Sequence, residues 1–434
     1  MTNLFSLFVR YASLNVMGMI GLSCYILADT FFIAQGLGAN GLTALNLAIP
    51  VYSFIQGVGL MVGMGGATKY SLMGNRDGGP EARAVFSRSL YLVWLIGAVF
   101  SVVGVLGGGK LALLFGADQA TYGMTSTYLR VLLFTTPAFL SNNVLLCFAR
   151  NDGSPRLAMA AMLGGSFSNI ILDYIFIFPL NMGMFGAVLA TCMAPLISMA
   201  ILSPHYRRGR TPLRLEKTGL PWGTIKEISA LGASSLISSV SEGVVMIVFN
   251  LVILGLEGNL GVAAYGVVAN LSLVVTSIFT GLGQGIQPLV SDSVGRNRPE
   301  NARKVFGYAL LTGAAVAALV LAGVYLWADP IAAIFNEARD PALQAIAVRG
   351  LKLYFPAFFF VGVNVVTAVY FSAAGRPRPG FVISILRGLV LILPLTFLLA
   401  KLWGMTGVWL TFPVTEALTA LVGMVFLLLE RRGK

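Results

Sequence analysis

Histidine occurs once in this 434-residue chain, cysteine three times, and charged residues make up only 11% of it. Each scarcity removes a class of function. The single histidine, His205, sits beside Tyr206, Arg207 and Arg208 at the end of an apolar run. There it reads as decoration of a membrane interface rather than as a metal ligand or general base. Cys24, Cys147 and Cys192 all fall inside apolar runs, which argues against a disulfide framework or a thiolate metal site. No His/Cys/Ser or metal constellation emerges that could run hydrolysis or group transfer, so neither an enzyme nor a cofactor is expected. The shortage of charge says most. A soluble domain carries about 25% charged residues. A chain that is 57% hydrophobic, with a mean hydropathy of +0.84, has too little polar surface to cover a soluble core. It is a polytopic membrane protein.

The charge that remains is patterned. A net charge of +12 and a pI near 9.8 could suggest nucleic acid. The basic residues, however, lie in short connections between apolar runs, where the positive-inside rule puts them, so no nucleic-acid partner is expected. Twelve apolar runs of roughly 20 residues can cross about 30 Å of hydrocarbon. They centre near Gly21, Gly57, Ile96, Pro137, Phe167, Ala194, Val240, Ile278, Val316, Phe360, Val390 and Ala417. One set of connections holds most of the Lys and Arg: Arg10; Lys69, Arg76, Arg83 and Arg88; Arg150 and Arg156; Arg207, Arg208, Arg210, Arg214, Lys217 and Lys226; Arg296, Arg298, Arg303 and Lys304; Arg376 and Arg378; and Arg431, Arg432 and Lys434. The alternate set holds only Lys110, Arg130, Arg339, Arg349, Lys352 and Lys401. Arg387 is left inside a span. This split expects a multi-pass protein of the cytoplasmic (inner) membrane with both termini cytoplasmic. The stretch after Arg10 runs to about Ala34 without an A-x-A site and reads as a first membrane helix, not a cleavable signal.

An internal repeat is present. Ala82-Arg83-Ala84-Val85-Phe86 matches Ala302-Arg303-Lys304-Val305-Phe306 at an offset of 220, and Pro137-Ala138-Phe139 matches Pro356-Ala357-Phe358 at 219. Gly153-Ser154-Pro155-Arg156 matches Gly375-Arg376-Pro377-Arg378 at 222, and Gly183-Met184-Phe185-Gly186 matches Gly404-Met405-Thr406-Gly407 at 221. Four collinear matches at a near-constant offset imply two six-helix halves. The expected domains are an N-terminal bundle over 1–208, a cytoplasmic linker over 209–222 and a C-terminal bundle over 223–434. Six spans is an even number, so the halves enter from the same side and should be related by a pseudo-two-fold axis along the membrane normal.

Two acids interrupt the apolar sequence. Asp29 lies in the first span and Asp173 in the fifth. A carboxylate near the middle of a membrane helix costs on the order of 2.5–3.5 kcal/mol on insertion scales, and such residues normally face a protein interior that handles protons, ions or cationic ligands.

Several runs together resemble the multidrug and toxic compound extrusion (MATE) family. They are Asp29-Thr-Phe-Phe-Ile33 in the first span, Ile49-Pro50 followed by Gly57, Gly59, Gly63, Gly65 and Gly74, Gly281-Leu-Gly-Gln284-Gly-Ile-Gln287-Pro288 in the eighth, and the paired G-x-P-R turns. The resemblance covers the whole chain. It implies an all-α fold of twelve transmembrane helices in two pseudo-symmetric six-helix bundles. It also implies an exporter of organic, mostly cationic and amphipathic compounds, driven by H+ or Na+ through rocker-switch alternating access. A monomer in the bilayer with small-molecule substrates is the expected state. The Asn169-x-x-x-Asp173 pair is similar to the DinF-like branch, whose cation site lies in the N-terminal bundle. Carried over residue by residue, that site falls on Asp29, Asn143 (with Asn142 the alternative), Asn169, Asp173 and Thr191, and a sodium ion would take Asp29, Asn169, Asp173 and Thr191. The same branch bends its first helix at a proline, and residues 1–34 contain none. Gly18 and Gly21 could offer softer bend points.

The depths agree without the family. Asp29 lies seven residues before Gly36, Asp173 six before Pro179, and Thr191 eight after Gly183. At 1.5 Å per residue all three sit roughly 9–12 Å below the outer helix ends. Asn169 is one turn from Asp173 on the same face. Asn143, seven residues before Arg150, comes out deeper.

In the second half, Glu242 matches one acid of a branch with a C-terminal site, whose second acid falls near the uncharged Asn364. Glu242 is therefore read as a cavity carboxylate that attracts cationic substrate, with Gln284, Gln287 and Asn364 as further lining groups. Arg387 lies about nine residues inside the eleventh span and Glu416 near the middle of the twelfth. Their axial offset of roughly 8 Å is within an arginine's reach, so a buried, structural ion pair is expected. The 50 glycines mostly allow close helix approach, and the run Gly59–Gly66 is mid-membrane, not a nucleotide loop. The 16 Met and 28 Phe suit an adaptable apolar binder, although core packing explains most of them. A flippase for a lipid-linked precursor shares this architecture and stands as the alternative, but it would favour a cationic cavity.

Overall fold

A computed structural model describes residues 3–73, 79–207, 211–336 and 339–432. Gly74, Arg76, Arg208, Arg210 and Lys434, together with the side chains of Arg431 and Arg432, lie outside the described residues. Among these residues every regular element is a helix.

Apolar sequence in lipid must satisfy its own backbone, and helices do so within one segment. Twelve spans result. They are α1 (4–37), α2 (39–72), α3 (Pro80–Leu114), α4 (Tyr122–Phe134 continued by Thr136–Asn151), α5 (Pro155–Ile177) and α6 (Gly183–Arg207), then α7 (222–257), α8 (259–295), α9 (Pro299–Phe335), α10 (Pro341–Ala373), α11 (Pro377–Trp403) and α12 (Met405–Arg432). Five begin on a proline, whose fixed φ suits a first helical position where the amide hydrogen has no partner anyway.

The repeat is written into the backbone. The run 4–72 is broken at Gly38 (φ 67°, ψ −160°), and the run 222–295 at Gly258 (φ 62°, ψ −154°), a pair that keeps the offset of the sequence repeat. A conformation of this kind is open almost only to glycine. Two further pairs follow the same spacing, Gly153 (φ 80°) with Gly375 (φ 77°) and Gly183 (φ 59°) with Gly404 (φ 57°). Two of the four short sequence matches that reveal the repeat therefore mark turns at helix ends.

Three spans are irregular. α4 bends by 50° at Thr135. α10 tightens into a 3-10 turn over Phe355–Ala357, at Pro356. α11 widens into a π-turn over Leu386–Val390, which carries Arg387. Leu106 and Leu114 on α3, and Leu311 and Leu319 on α9, are exposed by 73% or more. Side chains of this kind facing outward suit hydrocarbon, not water.

The chain divides into two compact units. One comprises Met17–Val240 and Ser291–Pro299; the other comprises Met1–Val16, Ser241–Val290 and Glu300–Lys434. In the first, α5 lies along α6 and α3 along α4. α2 and the start of α7 approach to backbone contact: a side chain on Gly65 would strike the Ile228 carbonyl, and one on Gly232 the Met61 carbonyl. The segment between α6 and α7 is strapped to α3. The Glu216 amide donates to Ser87 Oγ (2.9 Å), Tyr91 Oη donates to the Glu216 carbonyl (2.9 Å), Arg88 Nε donates to the Gly219 carbonyl (3.2 Å), and Arg83 pairs with the Glu216 carboxylate. In the second unit the core is aromatic. Trp409 fills the space opposite Gly350, and Tyr354 stacks on Phe412 at 4.5 Å.

Candidate functional site

Two acids dominate the first unit because α1 and α5 pack closely there. Gly21 leaves room for Leu163 and Gly36 for Ile177, so the α1 backbone lies against α5 on either side of Asp29. Asp29 is 6% exposed and Asp173 fully buried, and their carboxyls share a hydrogen bond. Two carboxylates cannot hydrogen-bond to each other unless one carries a proton. Each acid keeps one oxygen, Oδ1, with no hydrogen-bond partner.

Asn169 and Thr191 close the site. One turn from Asp173 on α5, Asn169 is fully buried. With its amide turned so that each atom meets its complement, it donates to Asp173 Oδ2 (3.0 Å) and accepts from the Thr191 amide of α6 (3.2 Å). Thr191 Oγ1 donates to the Ala187 carbonyl (3.2 Å) and also meets the Tyr128 hydroxyl of α4. Asp29, Asn169, Asp173 and Thr191 thus form one buried cluster from α1, α5 and α6. Its oxygens can bind a proton, or present several donors to a small hard cation.

Asn143 enters a neighbouring chain instead of the acid pair. Its Nδ2 donates to Gln56 Oε1 (2.7 Å) and to the Phe139 carbonyl (3.1 Å). Gln56 Nε2 donates to Tyr52 Oη (2.8 Å), which meets Tyr25 Oη at 2.5 Å. Tyr25 is one turn from Asp29 and within range of its charge. Asn142, the alternative, leaves its Oδ1 buried without a partner. Tyr25, Tyr52, Gln56 and Tyr128 are members that sequence reasoning missed. The signal available was spacing: Tyr25 stands four residues before Asp29, and Tyr52 four before Gln56, each pair on one helical face.

In the second unit, Gln284 (6% exposed), Gln287 (2%) and Asn364 (1%), expected as lining groups, are buried. Asn364 serves Glu416: its Nδ2 donates to Glu416 Oε2 (2.6 Å) and to the Glu416 carbonyl (2.8 Å). Glu416 also receives Arg387, through Nη2 to Oε1 (2.7 Å) and through Nε to Oε1 (3.0 Å) and Oε2 (3.3 Å). An amide beside a buried acid is drawn into satisfying it, because an incompletely solvated charge costs more than an unfilled cavity position. Glu242, in contrast, is exposed.

His205 is also corrected. It is 5% exposed, and Nε2 lies 3.0 Å from Asp152 Oδ2, with Tyr70 Oη donating to Asp152 Oδ1 at 3.3 Å. The α6 end folds back onto the α4–α5 turn, so the ring is part of the packing between them.

The family profile named MatE matches residues 16–175 and 235–398, one block in each half of the repeat. The chain is 28% identical to the multidrug export protein MepA of Staphylococcus saprophyticus over 412 residues, which is 94% of this chain and 90% of that protein. It is 26% identical to MepA of Staphylococcus aureus over the same shares. Among solved structures it resembles a MOP-superfamily transporter from Pyrococcus furiosus (TM-score 0.90, 23% identity, 98% of this chain and 95% of that one). It also resembles an outward-facing multidrug-resistance MATE transporter (TM-score 0.89, 24% identity, the same coverage). These structural likenesses establish the twelve-span fold, and the sequence matches extend over both repeats: the chain belongs to the MATE family of multidrug efflux transporters.

Proposed function

We propose that this protein exports organic, mostly cationic and amphipathic compounds across the cytoplasmic membrane in exchange for H+ or Na+. The observation that carries this reading is the shared hydrogen bond of Asp29 and Asp173, buried with Asn169 and Thr191. A carboxyl pair holding one proton has two neighbouring charge states, because it can accept a second proton or exchange the one it has for a sodium ion. Uptake from one side and release to the other then requires the two bundles to expose the site alternately, as in a rocker switch. The coupling ion is cargo, and no resident cofactor is needed. The bundles are taken as 1–208 and 223–434, acting as a monomer with both termini cytoplasmic, a reading supported by the distribution of Lys and Arg among the connections. Glu242, exposed and acidic, favours cationic cargo over the lipid-linked anions of a flippase.

The test is reconstitution in proteoliposomes with pH and sodium gradients set independently. Efflux of a cationic dye should follow one or both gradients and stop when they are collapsed. Efflux indifferent to both would remove ion coupling from the reading.

A further inference from the structure

The ends of α7 and α11 leave between them a groove of about 420 Å³. α7 lines it from Val248 to Leu256 and α11 from Phe397 to Lys401, and Lys401 is its one polar side chain. The space extends to the helix backbone, since a Cβ on Gly255 would meet no atom within 4 Å. The equivalent seam of the first half is closed. There Phe32 of α1 packs on Tyr174 and Phe178 at the end of α5 (6.2 and 6.1 Å), and the room left by Gly36 is taken by Ile177. The repeat offset of 220 carries Phe32 onto Val252, and offsets of 220–222 carry Tyr174 and Phe178 onto 394–396 and 398–400, none of them aromatic. One pair of helices is thus sealed by rings in the first half and left grooved in the second.

Size, lining and charge together select an occupant. The volume falls in the roughly 300–1,000 Å³ range of small-molecule sites. Residues 248–256 span about 12 Å of helix at 1.5 Å per residue, close to the ~15 Å that one leaflet contributes to a hydrocarbon core about 30 Å thick. An apolar groove gives water no partners, and Leu251 and Phe397, 64% and 59% exposed, offer hydrocarbon contact instead. Lys401 lies two residues before the end of α11, at the level of the lipid headgroups, on the side opposite the basic connections. Among the described residues it has no ion-pair partner, and Glu257 at the end of α7 is exposed and not paired with it. A lysine placed so lays its methylenes along an acyl chain and its ammonium against a phosphate. We propose that this groove binds one anionic phospholipid of the outer leaflet, of the phosphatidylglycerol type, with an acyl chain along residues 248–256 and its headgroup on Lys401.

The purified full-length protein would be titrated in detergent with dioleoylphosphatidylglycerol and dioleoylphosphatidylcholine, and lipid occupancy read by native mass spectrometry. The unmodified protein should hold one phosphatidylglycerol about three- to tenfold more tightly than phosphatidylcholine, the scale of one interfacial lysine on an anionic lipid. Lys401→Gln should erase that preference and leave phosphatidylcholine within about twofold. Gly255→Phe places a ring in the groove and should weaken both lipids about tenfold, with Gly255→Leu as the milder variant should the ring impair folding. Both should keep the melting temperature of the unmodified protein in lipid-free detergent. Lys110→Gln removes a lysine of the same membrane side outside the groove and should change neither lipid. An equal loss of preference in Lys110→Gln and Lys401→Gln would reduce the effect to diffuse attraction and overturn the proposal. Unaltered binding in both Gly255 variants would put the lipid elsewhere and overturn it as well. Displacement of phosphatidylglycerol by methyltriphenylphosphonium would make the groove a contact for organic cations instead, which also overturns it.

Discussion

The two halves of the repeat place polar clusters that share only the equivalent pairs α5 with α11 and α6 with α12, and they do opposite things with them. In the first half, α5 and α6, joined by α1, bring together Asp29, Asp173, Asn169 and Thr191, with two acids and no base. In the second, α10, α11 and α12 bring together Asn364, Arg387 and Glu416, one base matched to one acid. The repeat offset carries Asp29 onto Phe249, which is 1% exposed and stacked on Tyr265 at 5.5 Å. The repeat provides two similar frames. In the first the charge is left uncompensated, which suits uptake of a cation. In the second it is neutralised inside the protein, which suits a fixed electrostatic element. On this comparison we propose that ion coupling belongs to the first half.

The largest effect is expected at the acids. Asp29→Asn or Asp173→Asn should each reduce gradient-driven transport to background, with the thermal stability of the purified protein retained. Because both act in one site, the double variant should be no worse than either single. Transport at full rate in either single variant would place coupling elsewhere.

The second half should respond in stability first. Arg387→Ala or Glu416→Ala leaves a charge without its partner in a buried setting, a loss of about 3–5 kcal/mol in typical cases. The loss would be read as a lower melting temperature in detergent. Replacing both by Met and Leu should restore most of it, while coupling to the gradient persists. Strictly additive losses in this double-mutant cycle would mean that the ion pair contributes nothing as a pair.

Much of this contrast is legible in the sequence alone, and the reason is depth. A helix rises by a fixed amount per residue, so counting from Gly36, Pro179 and Gly183 places Asp29, Asp173 and Thr191 at one level. The same arithmetic brings Arg387 within reach of Glu416. What counting cannot give is rotation about the helix axis. Asn143 has the right chemistry but turns toward Gln56. Asn364 is expected on a cavity wall and instead satisfies Glu416. Tyr25, Tyr52 and Tyr128 escape a reading of the sequence because an aromatic in an apolar span looks like packing until its hydroxyl finds a partner. His205 has no acid near it in sequence, and Asp152 reaches it only because α6 returns alongside α4 and α5.

The backbone breaks sharpen the comparison by being alike where the clusters differ. Gly38 and Gly258 hold nearly the same conformation, and a Cβ on either would meet no atom within 4 Å. Any cost of substitution is then backbone strain alone, about 1–3 kcal/mol for a residue forced into this region. Gly38→Ala and Gly258→Ala should lower the melting temperature by similar amounts. A large inequality would show that the two breaks, although equal in geometry, bear different loads.

The smallest effects lie at two aspartates that begin equivalent helices, Asp118 before α4 and Asp340 before α10, a pair related by the repeat. Asp340 accepts from the amides of Ala342 (2.8 Å) and Leu343 (3.3 Å), a direct N-cap. Asp340→Ala should cost about 1 kcal/mol. Asp118 works through Thr121, accepting its hydroxyl (2.7 Å) and its amide (2.9 Å), and these bonds hold the Asp118 carboxyl below its usual pKa. A carboxyl depressed in the folded state stabilises when ionised. Its contribution is present above the unfolded value of about 3.9 and is lost as pH falls through the lower folded value. Hydrogen exchange over 118–126 should therefore be steady at neutral pH and accelerate, beyond the intrinsic trend, only in strong acid. Asp118→Ala should abolish that extra acid response and loosen the start of α4 at every pH. An acid response that survives in Asp118→Ala would assign the opening of α4 to some other group.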